Sequence, residues 1–311
     1  MFEKLSAPLM STIDITDHCN LTCSYCYAHN GNSVFMARDL VVDTAKQLHG
    51  RGVWQIVLGG GEPFLHPEII PILTELLGAG ITLGVITNGT TLGTTVLNKI
   101  QGLFSKFPNQ LHIQVSIDSV KPEINDRLRG LGHKALLAAN ELAKRSVSVS
   151  TGTVLHKYNV AETHLIIEYF YPHIKKFHYM NLMPSYLVKM TKEDLFPAPE
   201  ELAGAYSRLR SCQQKYPDTI ITFPDLQAII SDKQSPSLSC VGCTAGITRM
   251  DINARGDLLA CNIADGSRFG NLSDGSIWEA WDSVFVDSLR ASNEALCMNG
   301  GLIQINTLKT R

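Results

Sequence analysis

The sequence predicts an α/β fold of six successive strand–helix units, followed by a smaller carboxyl-terminal region of a different kind. Three observations carry this. β-rich runs alternate with helical patterns from residue 11 to about 183, and seven of the eight cysteines gather in two groups near the chain ends. At 311 residues and 44% hydrophobic content, the chain can also bury a large core as one barrel or two domains. Repeated β/α units with right-handed crossovers build a parallel sheet, and six of them suit a partial barrel as well as an open doubly wound sheet. In both, the strand ends form the site.

The expected strands are residues 11–16, 53–58, 81–87, 111–117, 147–155 and 177–182. Between them, apolar residues recur at helical spacing, as in Val41, Ala45 and Leu48, or Ile69, Leu73, Leu76 and Leu77, and would pack one face onto the sheet. The pattern loosens over residues 183–198, and a helix over 199–216 closes the repeating region. A boundary falls within 217–239, dividing the chain into 1–225 and 226–311. The tail reads as a hairpin of 248–252 and 257–262 about Arg255-Gly256. An amphipathic helix carrying Ile277, Trp278, Trp281, Phe285 and Leu289 follows it.

Charge excludes several functions. The 27 Lys and Arg nearly balance 29 Asp and Glu, and no long like-charge run marks a nucleic-acid or membrane-surface binder. The start, MFEKLSAPLM, lacks the apolar core of a signal peptide, and the most apolar later stretch, residues 69–83, is broken by Glu75 and glycines. The expectation is a soluble cytoplasmic protein. Eight cysteines are too few for a disulfide scaffold in a chain this long, and their clustering points to metal.

Directly after the first expected strand, Cys19, Cys23 and Cys26 form the pattern CxxxCxxC. With this cysteine content about 0.005 such matches arise by chance, so the spacing is informative. Three thiolates on one loop can wrap a soft metal, and a structural zinc wants four protein ligands, with only His18 nearby as a fourth. A cubane iron–sulfur cluster on three cysteines leaves one iron open to a small molecule. Iron–sulfur, zinc and unliganded core or redox cysteines are the three readings at this point.

CxxxCxxC with Tyr25 before its last cysteine resembles the radical S-adenosylmethionine (SAM) enzymes. Gly60-Gly61-Glu62-Pro63 after the second strand is similar to that family's GGEP element. Thr87-Asn88-Gly89 ends the third strand, and Ser116-Ile117-Asp118-Ser119 ends the fourth. Asn125-Asp126 through Arg129-Gly130 is similar to an HDxxRG element, with Asn125 where His is commoner. The resemblance spans residues 11–183 and implies a partial (β/α)6 TIM-type barrel that carries a SAM-binding [4Fe–4S] cluster.

In the family the open iron holds the amino and carboxylate groups of SAM, and an electron from the cluster yields a 5′-deoxyadenosyl radical. The resemblance implies that Cys19, Cys23 and Cys26 hold the cluster. Gly60, Gly61, Glu62 and Pro63 would shape the methionine end, and Arg129 would pair with the carboxylate. Ser116 and Asp118 would meet the ribose hydroxyls, Tyr25 would pack beside the adenine, and Asn88 belongs to the same set. Taken singly, Gly59-Gly60-Gly61 reads as a turn, Glu62-Pro63 as a helix start, Asp118 and Ser119 as caps and Arg129 as a surface charge. Their arrival at successive strand ends favours the joint functional reading.

Cys243, twelve residues, Gly256, four residues and Cys261 are similar to the first half of the signature of SPASM and twitch extensions. With Cys240 and Cys297 four cysteines are available, enough for one auxiliary [4Fe–4S] cluster without an open site, and also for a closed structural zinc. The second half of the SPASM signature is absent, so a second auxiliary cluster is not expected. Cys297 is the weakest ligand of the set, and Cys212 reads as a buried small residue.

The resemblance implies reductive SAM cleavage and hydrogen abstraction from a substrate, with an electron donor of flavodoxin or ferredoxin type. Peptide or protein maturation is the leading substrate class. Tetrapyrrole side-chain modification and two-electron oxidation of a small hydroxylated metabolite follow. An iron–sulfur electron carrier and a zinc-stabilised binding protein are the other classes, and neither needs the SAM-like residues outside the cysteines. The first strand begins about ten residues in, which leaves no room ahead of it for a leader-binding domain and calls for a detached recognition protein. No general acid or base is named. Tyr171, His178, Tyr179, Asn181 and Tyr186 sit near the sixth strand end, and residues 183–198 are expected to form part of a lid.

Overall fold

β1 (Met10–Thr16) lies inside a ten-stranded sheet, with β2 (Gln55–Gly60) on one side. β3 (Leu83–Thr87), β4 (Leu111–Ser116), β5 (Val149–Leu155), β6 (Lys176–Asn181) and β7 (Ile220–Thr222) follow in chain order, each parallel to its neighbours. On the other side β8 (Arg249–Ile252) runs parallel to β1, and β9 (Asp257–Leu259) and β10 (Arg268–Asn271) continue antiparallel. This computed structural model describes residues 5–28, 33–183, 194–223, 245–263 and 267–283. The sheet is an open, TIM-like partial barrel, with β7 and β10 as its edges among the described residues.

Helices cover one face. They are α1 (Arg38–Gly50), α2 (Ile69–Gly78), α3 (Thr94–Lys106), α4 (Pro122–Leu128), α5 (Gly132–Lys144), α6 (His164–Phe170), α7 (Pro199–Lys215) and α8 (Ile277–Trp281). Each longer helix turns an apolar stripe inward, for example Val41, Ala45 and Leu48 of α1 and Ile72, Leu73, Leu76 and Leu77 of α2. These meet Ile13 and Ile15 of β1, Ile56 and Leu58 of β2, Ile113 and Val115 of β4, and Phe177 and Tyr179 of β6 in one core.

Alternation along the strands gives the opposite face a different character. On the inside of the partial barrel, Thr12 and Asp14 approach Gly59, His112 bonds Ser148 (2.8 Å) and Ser150 (2.7 Å), and His178 bonds Thr222 (2.7 Å). This lumen is polar and partly open, with Ile86 and Met180 exposed in it.

All six strands expected from the sequence form, within two residues at their ends, and the helix expected over 199–216 is α7. The tail hairpin also forms, and Gly256 supplies its turn at φ +80°. β7 and β10 are additions. The expected boundary at residue 225 lies outside the described residues, and strands on either side of it belong to the same sheet. Met250 and Ile252, both 0% exposed, enter the core beside Ile13, which explains why β8 docks on β1. Trp281, also fully buried, donates its indole N–H to the Leu5 carbonyl (3.2 Å) and fixes α8 to the chain start.

Candidate active site

The cysteine loop leaves β1 at Thr16, at the end of the sheet where the parallel strands finish. Its base is pinned on two sides. Thr16 Oγ1 donates to the Val34 carbonyl (2.6 Å), and Val34 N–H donates to Asp17 Oδ1 (2.6 Å). From β2, Gly61 N–H donates to the Thr16 carbonyl (2.7 Å) and Glu62 N–H to the His18 carbonyl (2.8 Å).

This clasp explains both glycines. Gly60 has φ +114°, and a Cβ there would stand 2.1 Å from the Thr16 carbonyl oxygen, while one on Gly61 would stand 2.2 Å from that of His18. No side chain fits either place. Glu62 is fully buried and accepts from Thr87 Oγ1 (2.7 Å), Asn88 N–H (2.7 Å) and Phe64 N–H (3.1 Å), and burial pushes its carboxyl up to about 7. It ties the β2 end to the β3 end, and Pro63 starts the short 3-10 turn that leads away.

Cys19, Cys23 and Cys26 are partly exposed on one loop and form no disulfide. Among the described residues no three His, Cys, Asp or Glu side chains converge as ligands of a single ion. The residues fit a cluster better than one zinc, because a cubane spreads its ligands over separate irons. Two donors already address Cys19 Sγ, namely Leu21 N–H (3.4 Å) and Asn88 Nδ2 (3.7 Å), as cluster-bound sulfurs require. Burial pushes the Cys23 thiol up to about 12, so only a bound cation would hold it as thiolate.

Across the loop, Tyr25, Asp118 and Arg129 form a buried triangle. Tyr25 Oη donates to Asp118 Oδ2, and Arg129 Nε donates to the same oxygen (2.8 Å) and to Tyr25 Oη (2.5 Å). Val154 N–H donates to Asp118 Oδ1 (3.1 Å), and Asp118 is 1% exposed. These bonds occupy the Asp118 carboxylate that the sequence assigns to a ribose, and the Arg129 Nε that it assigns to a SAM carboxylate. Ser116, the last residue of β4, is half-buried on the lumen face. Thus Cys19, Asn88 and Glu62 are gathered on one side of the loop and Tyr25, Asp118 and Arg129 on the other.

Three residues support this triangle, and two of them, Asn159 and His156, escaped the sequence reading. Asn125, 1% exposed, accepts from Asp118 N–H (2.9 Å) and Ser119 N–H (3.2 Å), which fixes the β4 turn. Asn159 Nδ2 donates to the Asp118 carbonyl (2.9 Å) and the Val154 carbonyl (2.8 Å). His156 is fully buried beside the Tyr25 ring, and burial lowers its pKa. Its Nδ1 accepts from Tyr158 N–H (3.2 Å), which places the proton on Nε2, 3.9 Å from Asp118 Oδ2. The Asn125-Asp126-x-x-Arg129-Gly130 element was the only signal for this set, and it does not disclose Asn159 or His156.

A small apolar cap covers Tyr25. Leu128, Leu182 and Leu195 pack with it, and Leu195 is 1% exposed with its carbonyl bound by Lys157 N–H (3.0 Å). The rest of the expected lid, residues 184–193, lies outside the described residues, as does Tyr186. Of the other residues near the sixth strand, Tyr179 is buried and donates to the Thr163 carbonyl, Asn181 accepts from Tyr206, and Tyr171 packs on Tyr216. His178 alone of these is placed on the lumen face by its Thr222 bond.

From the second cysteine group, Cys261 is half-buried at the end of the β8–β9 hairpin, while Cys240, Cys243 and Cys297 lie outside the described residues. Cys212, 5% exposed on α7, is part of the core, in agreement with its reading as a small buried residue.

Comparisons with known proteins agree with this layout. Residues 13–170 match the Radical SAM superfamily, and residues 243–299 match SPASM, an iron–sulfur cluster-binding domain. Mycofactocin maturase MftC of Mycobacterium tuberculosis is 25% identical, over 96% of this chain and 78% of its own length. PqqA peptide cyclase of Xanthomonas axonopodis pv. citri is 27% identical, over 89% of this chain and 74% of its own. In fold, the chain superposes on Streptococcus suis SuiB bound to precursor peptide SuiA with a TM-score of 0.79, at 17% identity and covering 93% of this chain and 68% of SuiB. Native anSMEcpe with bound AdoMet gives 0.73, at 20% identity and covering 93% and 88%. No helix among the described residues is long and apolar enough to cross a membrane. The chain belongs to the radical SAM superfamily, with a SPASM iron–sulfur region after the barrel in sequence, and is an enzyme that uses [4Fe–4S] clusters and S-adenosylmethionine.

Proposed function

We propose that this enzyme modifies a peptide by hydrogen abstraction. The observation that carries the reading is the three-cysteine loop clasped by Gly60, Gly61 and Glu62 above a polar, open lumen, in a chain whose relatives include a peptide cyclase and a maturase. Cys19, Cys23 and Cys26 would hold the first cluster and Cys261, with Cys240, Cys243 and Cys297, an auxiliary one, in a chain divided near residue 225. With SAM bound, an electron delivered by a flavodoxin- or ferredoxin-like donor makes the 5′-deoxyadenosyl radical available at this loop. The protein's own part is to position and to shield. Asn88 and Leu21 N–H stabilise Cys19 Sγ, the Tyr25–Asp118–Arg129 triangle stiffens the far side of the loop, and Leu195 helps keep water away. Gly60, Gly61, Glu62, Pro63, Asn88, Ser116 and the exposed edge of Arg129 are the surfaces assigned to SAM.

Anaerobic reconstitution tests this. About eight irons per chain are expected for two cubanes, with 5′-deoxyadenosine formed from SAM under a strong reductant and raised by the cognate peptide. A chain that holds zinc alone, or a cluster that never cleaves SAM, would overturn it.

A further inference from the structure

One buried carboxyl on the lumen face is unused by the site above. Asp14 of β1 is 5% exposed, and its Oδ1 has no hydrogen-bond partner. It lines a cavity of about 150 Å³ together with Thr16, Asp17, Tyr27, Arg255 and Asn262. The cavity lies between the cysteine loop and the β8–β9 hairpin that ends at Cys261. It is on the β8 side of β1, whereas Asn88, Asp118 and Arg129 belong to the strands on the β2 side, and only Gly60 lines the cavity and also belongs to the SAM set.

Carboxylates outnumber cations in the lining, and the Asn262 side chain already serves Asp14 with one hydrogen bond. Asp14 Oδ1, Asp17 Oδ2 and Asn262 Oδ1 are all buried acceptors without a hydrogen-bond donor. Of the two nearby cations, Arg249 is committed to Asp251, and Arg255, itself in the lining, pairs with Asp17 Oδ2 only at long range. Arg249 Nε contacts both oxygens of Asp251 (2.9 and 3.1 Å), and Arg255 stands 3.6 Å from Asp17 on a side chain 46% exposed. Asp14 makes no ion pair among the described residues, and burial together with the Asp251 charge pushes it up to about 7. Buried acceptors short of donors on residues around one cavity call for a group with several donors and no lone pair. A primary ammonium or a guanidinium is such a group. Among the described residues no three ligating side chains converge there, which disfavours a metal ion. Pockets for whole ligands run to about 300–1,000 Å³, so this one suits the end of a single side chain.

We propose that this cavity receives the cationic end of a basic side chain of the substrate, with Asp14 as the residue that selects it. The inference rests on the peptide reading above and adds a residue class to it.

The test uses the reconstituted protein and two probes, Nα-acetyl-lysine methylamide and its neutral counterpart Nα-acetyl-norleucine methylamide, titrated by NMR with SAM present. The lysine probe should bind about tenfold or more tightly than the norleucine probe, and Asp14→Asn should erase that preference. Should Asp14→Asn not fold, carbodiimide coupling of the lysine probe to the wild type, mapped by mass spectrometry, should mark Asp14 or Asp17. Equal binding of the two probes, or coupling at surface carboxylates alone, overturns the assignment. Displacement of the lysine probe by SAM would make the cavity part of the SAM site, and displacement by magnesium or calcium would make it a metal site; both also overturn it. SAM cleavage raised by peptides, without lysine preference, sinks the cavity assignment alone. Lysine preference in a protein that never cleaves SAM keeps the cavity and sinks the peptide-radical reading.

Discussion

Replacing Arg129 with leucine strips Asp118 of its only full counter-charge among the described residues while leaving its carboxylate 1% exposed. Breaking a buried pair from one side costs about 3–5 kcal/mol, because the remaining ion is neither hydrated nor paired. Asp118 would keep two neutral donors, Tyr25 Oη and Val154 N–H, so the lower end, about 3 kcal/mol, is expected. With a urea m-value of about 3 kcal/mol/M, the unfolding midpoint of the cluster-free protein should fall by about 1 M. Circular dichroism and tryptophan fluorescence should report the same midpoint if unfolding is cooperative. Asp118→Asn alone should also destabilise, and the double variant should lose about 2 kcal/mol less than the sum of the singles. A midpoint shift below about 0.3 M for Arg129→Leu, or strict additivity, would refute the idea that the triangle is held by its charge pair.

Further predictions follow from the same geometry. Gly60→Ala forces a Cβ into the Thr16 carbonyl at positive φ, so iron incorporation should fall well below the wild-type content while the far-UV spectrum persists. Asp14 has a folded-state pKa of about 7 against an ordinary 3.8, so its ionisation opposes folding increasingly as pH rises through that window. Asp14→Asn should therefore gain Tm relative to wild type at pH 8, and the gain should shrink towards pH 5, measured on cluster-free protein by calorimetry. Changing Cys19, Cys23 and Cys26 together to Ala should abolish 5′-deoxyadenosine, whereas changing Cys240 and Cys243 should spare some SAM cleavage and remove about four irons.

The barrel strands were legible because each is a short β-branched run whose neighbours carry a helical stripe, a pattern written locally in the chain. β7 was not, since Ile220–Thr222 spans three residues and is largely exposed, leaving no alternation to read. Nor was the union of β8 with β1, which depends on Met250 and Ile252 finding the same core as Ile13 across more than two hundred residues. The site divides in the same way. Cys19, Cys23, Cys26 and the glycines at 60 and 61 are fixed by spacing and backbone demands, and these sequence rules expose. Whether Asp118 faces a ligand or a neighbouring arginine depends on side-chain direction at a strand end, which no spacing encodes. His156 and Asn159 are ordinary loop residues until the β5 end brings them under Tyr25.

The parallel pairing of β1 with β8 has a consequence for biosynthesis. The strand that carries the cysteine loop is translated long before its second hydrogen-bonded neighbour, whose paired residues lie 239 positions further on. Loop-closure entropy makes such a long-range pairing a late folding step. Until then β1 is paired along one edge only, by β2, and the loop base relies on that strand and on Val34. Iron–sulfur assembly machinery that acted before β8 docked would thus meet the thiols on a half-finished scaffold, and the docking of β8 would set when the second edge of β1 is fixed.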